Sequence, residues 1–347
     1  NMNLKYLIKE AKYYRKLDGG LKRVFWKFLF YKTPLSRLVN TKAYNYFYKK
    51  RMEKFTKEHR PTILQIENTN ICNARCIMCP HVNMKRKQKI MKFEDFKKIV
   101  DDSMASYPSI RLLVITGFGE PLVDQGIVEK IDYVNKKYPN LQIDIYTNGG
   151  LLKKELSDEL LEKKIHKINF SINALEKDYK KIMGLNYDSV SKNIIYFMDK
   201  RKRLNREYPL VNISMMILKQ NKEDIQKFIE LWEKRADSVM TYMPLEWAGG
   251  KKVDTVEEVK MKKKRWPCIP LWQSIMVDVA GDIIMCCQDY ESKVTFGNAL
   301  KQPIKEIMNS ERFKRIRELQ LKGIYNMPVC NTCDNWVNSS FSWWEYN

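Results

Sequence analysis

From Arg60 onward, short apolar runs alternate with longer stretches whose apolar residues recur every three or four positions. The short runs predict strands at Thr62–Glu67, Arg111–Thr116, Gln142–Tyr146, Lys167–Ile172, Val211–Leu218 and Ser238–Met243. Helical periodicity between them predicts helices over Phe93–Met104, Gly126–Lys137, Lys154–Lys163, Tyr187–Arg203 and Lys222–Arg235. Repeated strand–helix alternation is the pattern of a parallel sheet with crossover helices, so the fold class is α/β. Residues 246–265 are Lys-rich, contain Gly249-Gly250 and read as an exposed linker. After Trp266 comes a hairpin-like stretch, Ser274–Cys287, turning at Ala280-Gly281-Asp282, then short helices and a Cys330-Asn-Thr-Cys333 knuckle. Ahead of Arg60, helical runs break at Asp18-Gly19-Gly20 and Thr33-Pro34. The expected organisation is a helical extension (1–59), an α/β unit (60–245), a linker (246–265), a small α+β cysteine-rich unit (266–336) and a tail (337–347).

Charge changes the picture at the N-terminal end. The chain carries 63 Lys+Arg against 41 Asp+Glu, a net +22, and residues 1–60 hold 17 of those bases against four acids. Aromatics are interleaved among them: Phe25, Trp26, Phe28, Phe30 and Tyr31, then Tyr44, Tyr46, Phe47 and Tyr48. Two readings follow. Either helices pack their aromatics on the main unit with solvated lysines outside, or residues 1–58 form an amphipathic basic surface for an anionic membrane face or a phosphate-bearing partner. No recognition motif accompanies the charge, so no specific nucleic acid is expected. No apolar run reaches the roughly 20 residues of a membrane-spanning helix, and no signal core is evident. A cytoplasmic protein, at most peripheral to a membrane, is expected.

Candidate chemistry lies in the cysteines. There are eight, against three histidines (His59, His81, His166), which disfavours a histidine-rich metal site. Cys72-Asn-Ala-Arg-Cys76-Ile-Met-Cys79 follows the first predicted strand. Thiolates at that spacing can converge on one iron–sulfur cube, leaving the fourth iron open to a small chelating molecule. A zinc site is the alternative, with His81 as the available fourth ligand. The Cys-x3-Cys-x2-Cys triplet resembles the signature of the radical S-adenosylmethionine (SAM) superfamily. The resemblance implies a partial (β/α)6 TIM-like barrel. It also implies a [4Fe–4S] cluster whose open iron takes the amino and carboxylate groups of SAM, and an external low-potential electron donor. One electron then cleaves the sulfonium to a 5′-deoxyadenosyl radical.

Further elements fall in the family's order. Gly117-Phe118-Gly119-Glu120-Pro121 resembles its Gly-Gly-Glu-Pro motif with Phe118 inserted, and implies that Gly117, Gly119, Glu120 and Pro121 contact SAM. There a backbone without side chains can approach the ligand and Glu120 can accept from the methionine ammonium. Thr147-Asn148-Gly149 is similar to its Thr-Asn-Gly, and Ser171-Ile-Asn173 to its Ser-x-Asp, which implies ribose or carboxylate contacts from Asn148, Ser171 and Asn173. Met78 occupies a position that is usually aromatic in the family and would pack near adenine.

Cys268, Cys286, Cys330 and Cys333 resemble the shortened C-terminal extension of the SPASM group, the twitch domain. The resemblance implies one auxiliary [4Fe–4S] cluster, hence two clusters in all. A four-cysteine zinc knuckle is the alternative, and Cys287 reads as a buried structural thiol. The one-auxiliary-cluster layout resembles an aminocyclitol dehydrogenase. That implies oxidation of a carbinol carbon of a sugar-like, cyclitol or phosphorylated small molecule, with the auxiliary cluster accepting an electron. Glu246, just beyond the sixth strand, and Asp289, after Cys286-Cys287, are candidate catalytic bases, with Tyr290 a further one. Peptide maturation is the competing activity, and a non-catalytic cysteine–zinc binding protein a third reading.

Overall fold

The computed structural model describes residues 60–333 apart from 245, 252, 255–264 and 266, together with helical positions 46, 50, 52–54 and 58. Most of the predicted extension, most of the linker and the tail therefore lie outside the described residues. Within the extension, Met52 is fully buried and belongs to the main core.

Six strands, β1 (Ile63–Ile66), β2 (Leu112–Ile115), β3 (Gln142–Thr147), β4 (Lys167–Ser171), β5 (Leu210–Met216) and β6 (Ser238–Tyr242), pair in parallel and in chain order. Between them run α1 (Phe93–Ser106), α2 (Ile127–Lys137), α3 (Lys154–Glu162), α4 (Glu176–Met183), α5 (Tyr187–Arg203) and α6 (Ile225–Glu233). A strand order without reversal has no switch point. Right-handed crossovers then place every helix on one face, giving the partial (β/α)6 barrel instead of a doubly wound sheet. Burial explains the apolar runs: all seven residues of β5 are buried. Parallel pairing also brings the carboxyl ends of all six strands, and the loops that follow them, to one end of the sheet.

Two elements differ from the sequence expectation. α4 falls inside a stretch for which the sequence reading predicts no helix. It has only eight residues and five of them are charged, yet Tyr179, Ile182 and Met183 are buried and Gly184 terminates it at φ +71°. The second is the hairpin, which comprises β7 (Ser274–Val277) and β8 (Asp282–Ile284), paired through Val277 and Ile283. Its first strand also lies parallel to β1, from Ile63 opposite Ser274 to Ile66 opposite Val277. With β9 (Thr295–Asn298) beside β8, one sheet runs β6-β5-β4-β3-β2-β1-β7-β8-β9. β7 thus covers the open edge of β1, whose backbone groups would otherwise stay unpaired. Gly281 turns the hairpin at φ +86°, where an added Cβ would sit 2.7 Å from Leu300 Cγ. Three short helices complete this unit: α7 (Pro270–Gln273), α8 (Ile304–Met308) and α9 (Glu311–Leu321). α8 is fixed to the barrel through its Ile304 N–H, which donates to Asp102 on α1 at 2.8 Å.

Candidate functional site

The loop after β1 carries Cys72, Cys76 and Cys79. It is held against α4 by two backbone bonds, Arg75 N–H to Met183 O at 3.0 Å and Ile77 N–H to Ile182 O at 2.9 Å. Burial pushes the Cys72 thiol up to about 12, with Glu120 and Cys79 adding to it. Burial also drives Cys76 well above its ordinary value, helped by the charges of Cys79 and Cys72. Burial raises Cys79 too, against the cation of Lys251. Three half-buried thiols near enough to repel one another as thiolates call for a cationic centre between them. Among the described residues, no three or more His, Cys, Asp or Glu side chains converge as tightly as one ion requires. His81 is engaged elsewhere, its Nε2 3.0 Å from the Asn70 carbonyl. The triplet therefore fits the corners of a multi-iron cluster better than a zinc site completed by His81.

Beside this loop, β2 ends in Gly117–Pro121. The two glycines serve chain packing: a Cβ on Gly117 would lie 2.3 Å from Glu67 Cγ, and one on Gly119 would lie 2.2 Å from the Thr69 carbonyl oxygen. A side chain at either position would strike the loop after β1, and Glu120 N–H donates to Ile71 O at 2.8 Å. Pro121 is buried and opens the following turn. Glu120 itself is buried, and burial raises its carboxyl above the ordinary range despite three donors. These are Thr147 Oγ1 at 2.6 Å, Asn148 N–H at 2.7 Å and Leu122 N–H at 3.1 Å. A carboxylate accepts about four bonds, so one lone pair remains for a further donor.

Asn148 sits at the end of β3 and donates to Asn73 Oδ1 at 2.9 Å. Ser171 closes β4. Asn173 accepts Met216 N–H at 2.8 Å and turns its amide nitrogen toward Met183 Sδ at 3.2 Å. Met78 is buried in the core cluster. Sequence reasoning missed Tyr179, a fully buried side chain whose hydroxyl has no hydrogen-bond partner. It lies close enough to Cys76 and Glu120 to feel both charges. An orphaned donor beside a carboxylate with spare capacity fits a ligand carrying both carboxylate and ammonium groups, as the methionyl end of SAM does. The helical spacing of Leu175, Tyr179, Ile182 and Met183 was the available signal.

The second thiol set gathers around Cys268. Burial raises Cys268 first of all, and the charges of Cys333, Cys330 and Cys287 add to it. Burial likewise pushes Cys330 up to about 11. Cys286 and Cys287 share a hydrogen bond that raises the first and lowers the second to about 7. Cys287 thus lies beside the set, next to Cys286. Asp289, a candidate base, is committed to a turn: its buried carboxylate accepts Lys293 N–H at 2.9 Å and Val294 N–H at 2.8 Å. Each oxygen accepts one of these bonds, so two of the carboxylate's roughly four lone pairs remain.

Between the sets lies the segment 246–251, which the composition places in an exposed linker. It is instead a packed turn. Trp247 and Ala248 adopt φ of +49° and +54°, a strained region for side-chain-bearing residues. The Trp247 indole N–H donates to Met78 O at 2.9 Å, and Thr332 Oγ1 donates to Ala248 O at 2.5 Å. Trp247 and Tyr290 flank Phe118 edge-on at 5.6 and 6.0 Å. Phe118, the inserted residue, thus becomes the centre of an aromatic wall. Glu246 begins the turn and is half-buried. A clamp closes the same region: Arg86 makes a bidentate pair with buried Glu67 at 2.7 and 2.9 Å and donates from Nε to Tyr290 O at 2.7 Å.

A cysteine triplet after the first strand of a partial (β/α)6 barrel, with a second thiol set beside that barrel, defines a protein of the iron–sulfur barrel class. Residues 66–231 match the model of the radical SAM superfamily, and residues 268–334 match that of the SPASM iron–sulfur cluster-binding domain. The chain belongs to the radical SAM superfamily and carries a SPASM domain. It is 26% identical over 164 residues to the tungsten-containing aldehyde ferredoxin oxidoreductase cofactor-modifying protein of Pyrococcus furiosus, covering 46% of this chain and 44% of that one. A GTP 3′,8-cyclase of Clostridium perfringens is 28% identical over 212 residues, covering 58% and 62%. The alignments thus span about half the length of these curated relatives. Among solved structures, BtrN in complex with AdoMet and 2-DOIA superposes with a TM-score of 0.54 at 17% identity, covering 79% of this chain and 93% of that one. SuiB of Streptococcus suis bound to the precursor peptide SuiA gives 0.61 at 17% identity, covering 77% and 70%. At that identity the likeness is one of fold. No helix among the described residues is long and apolar enough to cross a membrane.

Proposed function

We propose that this chain uses SAM and two [4Fe–4S] clusters to oxidise a carbinol carbon of a sugar-like or cyclitol small molecule. The observation that carries the reading is the turn at Trp247-Ala248, bonded on one side to Met78 and on the other to Thr332. It joins the loop of the first thiol set to the knuckle of the second, so that a substrate lying against one lies within reach of the other. When bound, the first cluster and SAM supply a hydrogen-abstracting carbon radical.

The chain's own residues do the rest. Cys72, Cys76 and Cys79 hold the first cluster. The spare lone pair of Glu120 takes the methionyl ammonium, and the Tyr179 hydroxyl donates to the carboxylate. Asn148, Ser171 and Asn173 meet the ribose, and Met78 packs toward the adenine. Phe118, Trp247 and Tyr290 exclude water from the reacting carbon, and Glu246 takes the proton released as the carbon is oxidised. Cys268, Cys286, Cys330 and Cys333 would hold the auxiliary cluster, which would supply a one-electron acceptor. The BtrN structure, whose description names a small molecule, supports this choice, and the SuiB structure, whose description names a precursor peptide, marks the competing one.

Anaerobic reconstitution and reduction test the reading. The expected result is about eight irons per chain and SAM-dependent formation of 5′-deoxyadenosine. Replacing Cys72, Cys76 and Cys79 together abolishes that product, whereas replacing Cys330 and Cys333 removes only the other half of the iron. Stoichiometric zinc with no iron uptake overturns it. Turnover of a precursor peptide with no oxidation of cyclitols or sugars moves the activity to maturation.

A further inference from the structure

Gln320, near the C-terminal end of α9, is fully buried. Its Oε1 accepts the backbone N–H of Cys268 at 2.7 Å, while its Nε2 lies 3.4 Å from Cys330 Sγ. The two ends of a carboxamide are told apart by their partners. A backbone N–H can be met only by the amide oxygen, so the NH2 group must face the sulfur. One side chain thus joins two thiol-bearing segments that lie 62 residues apart in sequence, from a helix that carries neither. The helix is itself anchored one turn earlier, where buried Arg317 donates from Nε to Leu271 O at 2.9 Å, three residues beyond Cys268.

We propose that Gln320 is a positioning residue that raises the reduction potential of the auxiliary cluster by donating an N–H to the Cys330 thiolate. The proposal rests on Cys268 and Cys330 being ligands of that cluster. Reduction adds one negative charge, which is shared with the ligand sulfurs. A donor aimed at one sulfur therefore stabilises the reduced state more than the oxidised one. Burial strengthens the effect because no water competes for the sulfur. In the proposed reaction the substrate carbon radical loses one electron to the cluster and one proton to the base, leaving a carbonyl. A higher cluster potential makes that electron transfer more favourable.

The test uses the full chain with Cys72→Ala, Cys76→Ala and Cys79→Ala, so that only the auxiliary cluster gives a signal. Redox titration followed by electron paramagnetic resonance should show a lower midpoint potential for Gln320→Met, and a lower one still for Gln320→Glu, with iron unchanged at about four per chain. An unchanged midpoint at full iron content overturns the proposal. A second measurement needs no substitution at Gln320. With glutamine labelled with nitrogen-15 in the side-chain amide, and Gln288→Leu removing the other nearby amide, the reduced cluster should show a nitrogen-15 coupling. Its absence also overturns the proposal. Failure of the underlying ligand reading is separate: it would show as full auxiliary iron retained in Cys330→Ala, whatever Gln320 does.

Discussion

The Trp247 indole donates to the carbonyl of Met78, so the residue just ahead of Cys79 is tied directly to the turn that leaves the barrel. Its neighbour Ala248 accepts from Thr332, the residue just ahead of Cys333. Each thiol set thus has one end of its loop pinned to the same two-residue turn, and the strained φ values there are the cost of reaching both. Distance between the sets is then fixed by hydrogen bonds and is not left to a mobile linker.

Trp247→Phe keeps an aromatic ring beside Phe118 and deletes the donor together with the pyrrole half of the indole. Losing one such bond costs about 1 kcal/mol, so the fold should survive. The expected outcome is uncoupling: 5′-deoxyadenosine still forms, but the ratio of oxidised product to 5′-deoxyadenosine falls severalfold. Chromatographic quantification of both products in one reaction checks it. An unchanged ratio would show that the turn does not hold the substrate between the two sets.

Tyr179→Phe separates ligand binding from stability. The hydroxyl is buried without a partner, so deleting it removes an unmet desolvation cost and should stabilise the SAM-free protein by about 1 kcal/mol. If the same hydroxyl donates to the methionyl carboxylate, SAM binding should weaken by about 2 kcal/mol, or roughly thirtyfold. Denaturation and equilibrium binding together check the opposite signs. Tighter or unaltered SAM binding would assign Tyr179 a packing role alone.

Much of this was legible because burial writes itself into composition. β5 is buried on both faces and reads as a near-continuous apolar run, and the cysteine spacings are local. The missing features depend on partners far away in sequence. Nothing in Ser274–Val277 says that β1 is its neighbour, since an apolar strand can pair in either direction. The lysines around Trp247 make its turn look solvated, although Met78 and Thr332 hold it. Nothing in the sequence around Gly119 says that the Thr69 carbonyl lies where its Cβ would be. Gln320 carries no motif at all, because its role comes from where α9 lies against Cys268 and Cys330.

Lys130→Met probes the support beneath the Glu120 loop. Lys130 is 2% exposed and reaches Asp124 Oδ2 at 2.5 Å and Met91 O at 2.6 Å. Asp124 also accepts from Asn68 at 3.0 Å and from Gly126 N–H at 3.0 Å. Removing the cation leaves a buried carboxylate without its counter-ion, which costs about 3–5 kcal/mol. Adding Asp124→Leu should restore part of the loss, because the stranded charge is gone. Chemical denaturation of the single and double variants checks it, and a loss below 1 kcal/mol for the single variant contradicts the account.

Cluster loading should also reverse the protein's response to alkaline pH. In the absence of metal, burial holds the Cys72 proton up to about 12 and the Cys330 proton up to about 11, against an ordinary thiol value of 9.0. The folded state then binds these protons more tightly than the unfolded chain does. Their contribution to stability is complete below pH 9 and is lost as pH rises toward the folded values. With the clusters in place the same thiols are deprotonated ligands, so this loss disappears, and assembly must release protons into solution. Denaturation at pH 7 and pH 10 should therefore show the metal-free protein losing stability between them while the loaded protein loses far less. A pH indicator present during anaerobic reconstitution should register the proton release, and more complete loading is expected as pH is raised from 7 to 9. Equal alkaline losses in both forms would mean that these thiols are not the groups the clusters bind.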